Sequence, residues 1–228
     1  MHATKALLVI SLGGSLIVPD KIDVAFLRRF TSIITEHAKA TRFIIVTGAG
    51  KTSRDYVAAA DSLGNVPDQE KDAMGILATK LNASLVLACF SGIAHPEVES
   101  APRKLDFDNV LVASGWKTGF STDFCAVSWA ALYGAKKVIN LTNTDYLYDK
   151  DPKLHRDAKK LEKASWQQLQ AIVGQEWKPS SNLPFDPLAT QKAAALGMTV
   201  MLANGNDLSN FENLLDGKGF KGTTIADG

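Results

Sequence analysis

The chain has 228 residues, 46% of them hydrophobic and 21% charged, enough to bury one sizeable core in one domain or two closely packed lobes. Its 25 Lys and Arg residues against 24 Asp and Glu residues give a formal net charge of +1, which excludes a global attraction to nucleic acid or to an anionic membrane. Cys89 and Cys125 lie far apart, which predicts free thiols in a reducing compartment rather than a disulfide or metal framework. Because no signal peptide and no apolar stretch of about 18 residues is recognised, we expect a cytoplasmic protein with no membrane partner.

Short apolar runs alternate with helical patterns along the chain, which is typical of a parallel sheet covered by helices on both faces. Asp23 is expected to cap the first long helix, and Gly134 to close a later one. Ser165 and Gln168 form a capping box. Strands are predicted at residues 6–11, 42–47, 109–114, 136–141 and 199–203, and helices at residues 23–40, 68–90, 122–133, 165–174 and 187–197. Residues 91–105 and 174–186 are expected to be the least ordered.

Two predicted strands run directly into glycines that are followed by small polar or basic residues. These loops are Gly13-Gly14-Ser15 and Gly48-Ala49-Gly50-Lys51-Thr52. Glycine allows a sharp backbone turn, and the N–H groups at the start of the following helix favour an anion because the helix dipole lies behind them. Two such loops predict two phosphorylated ligands, a donor and an acceptor, and therefore phosphoryl transfer. The alternative, that the glycines only turn the chain, is serious for either loop alone but less favoured for both together.

Two better-known nucleotide motifs do not fit the second loop. Ile45 stands where a Walker A loop needs a glycine, and Ser53 stands where a dinucleotide-binding loop needs its third glycine or alanine. The four histidines lie in unrelated contexts, and no Ser, Cys or His constellation suggests a nucleophile. A direct in-line transfer without a covalent enzyme intermediate is therefore predicted.

The ordered set of motifs resembles the amino acid kinase superfamily and, within it, the uridylate kinases of the short type typical of archaea. The landmarks are residues 10–15, 48–54, 72–79, 114–123, 142–152, 185–189 and 222–225. The resemblance implies a three-layer αβα sandwich with a central, mainly parallel sheet, in which residues 1–134 bind the acceptor and residues 135–228 bind ATP. It further implies ATP-dependent phosphorylation of UMP to UDP in pyrimidine biosynthesis, by a cytoplasmic homohexamer.

The same resemblance assigns roles to individual residues. It implies catalytic roles for Arg54, Asp123 and Lys51. The residues implied to bind ATP are Gly14, Ser15, Gly50, Arg54, Thr142, Asn143, Tyr148 and Asp151. Those implied to bind UMP are Ala49, Asp72, Trp116, Lys117, Thr118, Gly119, Phe120, Ser121 and Thr122. The expected cofactors are ATP and Mg²⁺ carried by its phosphates, with no metal ligands named on the chain and no nucleic-acid partner.

Some positions depart from the family pattern. Ser11 stands where many members carry a Lys that reaches the transferred phosphoryl group, so another cation, such as Lys51 or Lys117, has to supply that charge. Ala49 replaces a usual glycine, and Trp116 stands where smaller or polar residues are common. Two alternatives therefore stay open: a kinase of the same fold for another nucleoside monophosphate, small phosphomonoester or carboxylate, and a storage protein that binds a nucleotide or an oxyanion without catalysis.

Overall fold

A seven-stranded sheet runs through the computed structural model, which describes residues 5–152, 154–176 and 183–227. The strands are β1 (Ala6–Leu12), β2 (Thr41–Thr47), β3 (Val110–Ala113), β4 (Lys137–Thr142), β5 (Leu147–Tyr148), β6 (Lys160–Leu161), β7 (Lys163–Ala164), β8 (Thr199–Asn204) and β9 (Gly222–Ile225). The helices are α1 (Gly14–Ile17), α2 (Val24–His37), α3 (Gly50–Leu63), α4 (Asp68–Cys89), α5 (Thr122–Tyr133), α6 (Trp166–Val173), α7 (Pro187–Ala195) and α8 (Leu208–Leu215).

The order of strands in the sheet is β3-β2-β1-β4-β8-β9-β7. All pairs are parallel except β8 with β9, which is antiparallel, and β5 and β6 form a separate small hairpin. Because β1 and β4 lie side by side in the middle, β2 and β3 extend the sheet on one side and β8, β9 and β7 on the other. The predicted α/β architecture with a mainly parallel sheet between helices is confirmed.

Each face of the sheet buries its own apolar layer. Successive strand residues point to opposite faces, so Val9 of β1 belongs to one layer and Ile10 to the other. Trp129 of α5 is fully buried in the first layer. In the second layer Phe30 of α2 stacks on Phe211 of α8, with ring centroids 5.8 Å apart. The helices are therefore fixed on both sides of the sheet, and its carboxyl edge stays available for a site.

Most local sequence signals give the observed elements. Asp23 caps α2 by accepting a hydrogen bond from the Phe26 N–H, Gly134 ends α5 in a left-handed conformation, and the predicted capping box starts α6. The five predicted strands agree with the observed ones to within one residue at each end. Bounds were not predicted for the helices α1, α3 and α8 or for the strands β5, β6, β7 and β9.

The boundaries of some predicted elements need correction. The helix predicted at 23–40 ends at His37, and the one predicted at 187–197 ends at Ala195. The stretch 91–105 is tied to the edge strand β3 by bridges at Ala94 and Glu99, so it is more regular than expected. Of the other stretch expected to be poorly ordered, residues 177–182 lie outside the described residues.

The 22-residue helix α4 is the one described helix that is long and apolar enough to cross a membrane by length and composition. This corrects the expectation that no stretch of the chain meets that test. Its contacts with α2, α3, β2 and β3 are those of a helix packed on a sheet, and a core helix of that length also meets the test. Only 28% of the 18-residue apolar stretch of α4 is buried within the chain, so much of one face of the helix is exposed.

The two glycine loops meet at the carboxyl ends of β1 and β2. A Cβ atom on Gly14 would lie 2.0 Å from the Gly50 nitrogen, and a Cβ atom on Gly48 would lie 2.4 Å from the Gly14 nitrogen. Gly50 also has a φ of 65°, in the region that favours glycine. The backbones of the two loops are thus interlocked at a separation that side chains at Gly14 or Gly48 would prevent.

Replacing Gly14 by Ala should therefore force these loops apart. We expect the Gly14→Ala variant to lose about 1–3 kcal/mol of unfolding free energy, measured by urea unfolding, because an inserted methyl group in a closed contact strains its surroundings. Gly219→Ala is the matched control, since a Cβ atom there meets no atom within 4 Å. Equal stability of the two variants would contradict the interlock.

Candidate functional site

A cleft of about 340 Å³ opens where the two glycine loops meet, at the carboxyl ends of β1, β2 and β4. Ligands of open α/β sheets bind at this edge. The residues that line it come from four further segments: the start of α4, the loop between β3 and α5, the end of β4, and residues 183–186. Those among the predicted site residues are Gly14, Ser15, Ala49, Gly50, Arg54, Asp72, Phe120, Ser121, Thr122, Asp123 and Thr142.

The first turns of α1 and α3 provide backbone N–H groups at the floor of this cleft. Gly14 is the first residue of α1 and Gly50 the first of α3, and the first N–H groups of a helix have no acceptor within it. Arg54 lies one turn further along α3, where its exposed guanidinium donates to the Pro19 carbonyl at 3.3 Å. A helix start followed by a guanidinium suits a phosphate group.

The cations near the cleft differ from those expected from the sequence. Lys51 pairs with Asp55 at 2.7 Å and lies outside the lining of the cleft, so it would have to leave this partner to reach a phosphate. Lys71, which the sequence reading did not select, lines the cleft and pairs with Asp61 at 2.6 Å. Its position next to Asp72 on α4 was the only signal that could have identified it.

Asp72 uses one carboxylate oxygen to hold the loop that follows β3. Its Oδ2 atom accepts a hydrogen bond from the Gly119 N–H at 2.7 Å. Burial raises the pKa of Asp72, and the Gly119 hydrogen bond acts against this shift. Among the described residues, no hydrogen bond is found to the other carboxylate oxygen of Asp72. Asp72 itself lines the cleft. Asp72 can therefore both shape the loop and accept from a ligand hydroxyl.

Trp116 and Phe120 of the loop from Gly115 to Ser121 form an aromatic cluster with Phe124 of α5. The Trp116 and Phe120 rings lie 5.6 Å apart, and the Phe120 and Phe124 rings stack at 4.3 Å. The Lys117 ammonium lies 5.0 Å from the Trp116 ring centroid and 5.1 Å from that of Phe120. Of this loop, Phe120 faces the cleft, whereas Trp116, Lys117, Thr118 and Gly119 lie outside its lining.

Two carboxylates, Asp123 and Asp186, lie together at the inner end of the cleft. The Ser11 hydroxyl donates to Asp123 Oδ1 at 2.8 Å, and the Asp186 N–H donates to Asp123 Oδ2 at 3.2 Å. Burial raises the pKa of Asp123 to about 7 against the opposing hydrogen bond from Ser11, and the charge of Asp186 raises it further. Asp186, 5% exposed, also caps α7 through the Ala189 N–H, and burial raises its pKa.

Asp123 lies in the first turn of α5. The residue that caps α5 is Ser121, whose hydroxyl accepts from the Phe124 N–H at 3.1 Å. Asp123 therefore does not cap this helix. Its carboxylate instead joins the first strand to the start of α7 through Ser11 and Asp186.

The residues expected around the adenosine of a donor nucleotide follow β4. Thr142 lines the cleft, but Asn143, Tyr148 and Asp151 lie outside its lining. Asp145, in the turn after β4, accepts hydrogen bonds from Lys221 at 2.7 Å and from Asn204 at 2.9 Å. These hydrogen bonds lower the pKa of Asp145.

Comparisons with known proteins agree with this geometry. Residues 6–204 match the model of the amino acid kinase family. The uridylate kinase of Pyrococcus abyssi is 32% identical over 223 residues, covering 96% of this chain and 98% of that protein. The uridylate kinase of Thermoplasma volcanium is 33% identical over 92% of this chain and 93% of its own. The crystal structure of the uridylate kinase from Archaeoglobus fulgidus has a TM-score of 0.79 at 30% identity, covering 96% of this chain and 99% of that one.

The enclosed carboxylate of Asp123 should make stability depend on pH. Its pKa in the folded protein, about 7, lies above the ordinary value of 3.8, so folding favours the protonated form. That stabilisation is complete below about pH 4 and is lost as the pH rises through 7. We expect Asp123→Asn to gain stability relative to the parent protein between about pH 5 and pH 8, measured by urea unfolding.

The exposed Asp108, at the opposite edge of the sheet before β3, offers a matched control for this titration. The Asp108→Asn variant should follow the parent protein at every pH. A stability difference between parent and Asp123→Asn that stays constant with pH would contradict the raised pKa.

Proposed function

We propose that this chain, which belongs to the amino acid kinase family, is a uridylate kinase that transfers the γ-phosphoryl group of ATP to UMP and forms UDP. The observation that carries this is the meeting of two glycine loops with Arg54 and Asp72 around one cleft. The near full-length likeness to uridylate kinases identifies the acceptor, so neither another acceptor nor a storage role is needed to explain the site. Supply of UDP places the reaction in pyrimidine nucleotide synthesis.

On the acceptor side, Asp72 and the loop after β3 are proposed to bind UMP. The free carboxylate oxygen of Asp72 would accept from the ribose hydroxyls, while its other oxygen keeps Gly119 in place. Phe120 lines the cleft and would supply an apolar surface for the base. The other proposed UMP contacts are Ala49, Trp116, Lys117, Thr118, Gly119, Ser121 and Thr122.

On the donor side, the N–H groups of Gly14 and Gly50 are proposed to hold the ATP phosphates together with Ser15 and Arg54. Phosphoryl transfer depends on alignment of the two ligands and on neutralisation of charge over the equatorial oxygens. Arg54 supplies positive charge at the cleft, and Lys71 would add to it once it leaves its ion pair with Asp61. Asp123 orients the segments around the reacting groups through Ser11 and Asp186. The adenosine would then extend past Thr142 towards Asn143, Tyr148 and Asp151.

A metal ion is expected to arrive with the nucleotide. The described residues bring together no group of three or more His, Cys, Asp or Glu side chains able to hold a metal. The phosphates of ATP would lie against the two glycine loops and can carry Mg²⁺ themselves, and Mg²⁺ would neutralise charge on the transferred group.

The two parts of the chain divide the proposed contacts. The amino-terminal part, residues 1–134, supplies most of the proposed acceptor contacts, and residues 135–228 supply the adenosine side.

The assignment can be tested by ADP release in a coupled assay with ATP and Mg²⁺, using UMP, CMP, dTMP, AMP and no acceptor. We expect a strong preference for UMP. Asp72→Asn should lower kcat/KM for UMP about 10- to 100-fold, because one accepting oxygen cannot serve both Gly119 and the ribose. Arg54→Ala should cause a loss of similar size, and the exposed Arg28→Ala and Asp108→Asn variants should retain full activity.

Turnover that is greatest with a different monophosphate would overturn the acceptor assignment. Parent-like activity of both Asp72→Asn and Arg54→Ala would overturn the site.

We also propose that the protein works as a homo-oligomer, a hexamer by resemblance, in the cytoplasm. Leu77 and Leu81 lie one turn apart on α4 and are 63% and 64% exposed. The helix α3, which packs on α4, carries Tyr56 and Leu63 at 61% and 87% exposure. Such an apolar face on adjacent helices is consistent with contact between copies of the chain.

The free thiols of Cys89 and Cys125 and the use of ATP support the cytoplasmic location.

Light scattering after size-exclusion chromatography tests the proposed contact face. Leu81→Glu should shift the particle to a smaller mass, because a charge buried between copies is costly. Ile22→Glu, at a 51% exposed position before α2, should leave the mass unchanged. If Ile22→Glu alone reduces the mass, the contact lies on the α2 side instead; if the parent is a monomer, the proposal is wrong.

A further inference from the structure

The face of α4 that points towards the cleft carries two buried polar side chains that the proposed reaction does not use. Thr79 is 5% exposed and Asn82 is 3% exposed. They lie three residues apart, and Thr79 lies seven residues, or about two turns, after Asp72, so all three share one face of the helix. Buried polar groups cost stability unless their hydrogen bonds are made, so their partners indicate what they do.

Thr79 binds Gly115, near the start of the loop after β3. Its hydroxyl accepts from the Gly115 N–H at 2.8 Å and donates to the Ile76 carbonyl at 2.6 Å. The contact is close, since a Cβ atom on Gly115 would lie 2.9 Å from the Thr79 hydroxyl. Asp72 holds Gly119 of the same loop at 2.7 Å. The loop is thus attached to α4 at two points, four residues apart.

Asn82 binds the second glycine loop instead. Its side-chain amide donates to the Gly48 carbonyl at 2.8 Å and to the Ala49 carbonyl at 3.0 Å, which uses both of its N–H groups. Gly48 and Gly50 are the residues interlocked with Gly14, so Asn82 fixes the position of both phosphate loops together. One helix therefore sets two loops that approach the cleft from different strands.

We propose that Thr79 and Asn82 are positioning residues with separate tasks: Thr79 fixes the acceptor loop, and Asn82 fixes the interlocked phosphate loops. The proposal rests on the uridylate kinase function proposed above. Neither side chain has a donor left for substrate, since the Thr79 hydroxyl proton and both Asn82 amide protons are engaged. Their effect on the reaction is through geometry, where small displacements of reacting groups are costly.

The two tasks predict different kinetic signatures. Loss of the Thr79 hydroxyl releases Gly115 and should weaken the acceptor site, so that KM and Kd for UMP rise while those for ATP change little. Loss of the Asn82 amide releases the loops between which the phosphoryl group passes, so kcat should fall for every acceptor. A merely structural role would instead lower thermal stability and affect both substrates alike.

The decisive comparison uses Thr79→Val, which keeps the shape but removes the hydroxyl, and Thr79→Ser, which restores it. Calorimetric titration should show a Kd for UMP about tenfold higher for Thr79→Val, within about threefold of the parent for Thr79→Ser, and a nearly unchanged Kd for a non-hydrolysable ATP analogue in both. Asn82→Leu should lower kcat about tenfold or more, with the Kd for UMP less affected than in Thr79→Val.

The outcomes separate this inference from the proposed function. If the parent enzyme does not turn over UMP, the function proposal fails. If the parent is active and Thr79→Val binds UMP as the parent does, or loses UMP and the ATP analogue equally, the positioning roles are wrong. An unchanged kcat in Asn82→Leu would overturn the role of Asn82. Should Asn82→Leu fail to fold, Asn82→Ala removes both donors without adding volume and is measured in its place, with the same criterion.

Discussion

The arrangement of this protein depends on the contact between the glycine loops that end β1 and β2. These strands are parallel neighbours in the sheet, so their carboxyl ends lie side by side, and only the lack of side chains at Gly14 and Gly48 lets the loops interlock. The contact brings the starts of α1 and α3 to one cleft, where two anions can lie close together. A side chain at Gly14 or Gly48 would push the two loops apart and separate the starts of α1 and α3.

The second constraint is the helix α4, whose two faces have different surroundings. One face holds the loop after β3 and the second glycine loop through Asp72, Thr79 and Asn82, whereas Leu77 and Leu81 are exposed on the other. A shift of this helix would move the acceptor loop and the phosphate loops at once. If copies of the chain contact one another through the exposed leucines, assembly and the geometry of the cleft are therefore linked through the same element.

Much of the fold could be predicted because its signals are local: Asp23 caps the helix that follows it, and Gly134 ends one. The site was harder, since its contacts join distant parts of the chain. Ser11 and Asp123 are 112 positions apart, and nothing near either residue indicates the pairing. The ion pair between Lys51 and Asp55 is different, because it is local. Asp55 lies one turn along α3 from Lys51, so helix geometry alone indicates the pair that holds Lys51 away from the cleft lining.

The most direct test of one cleft holding donor and acceptor together is inhibition by a single molecule that joins adenosine and uridine through a chain of five phosphates. If the interlocked loops place ATP and UMP end to end, this molecule should compete with both substrates and bind more tightly than either, since one binding event replaces two. Competition with only one substrate, or with neither, would show that donor and acceptor do not share the cleft and would contradict the account.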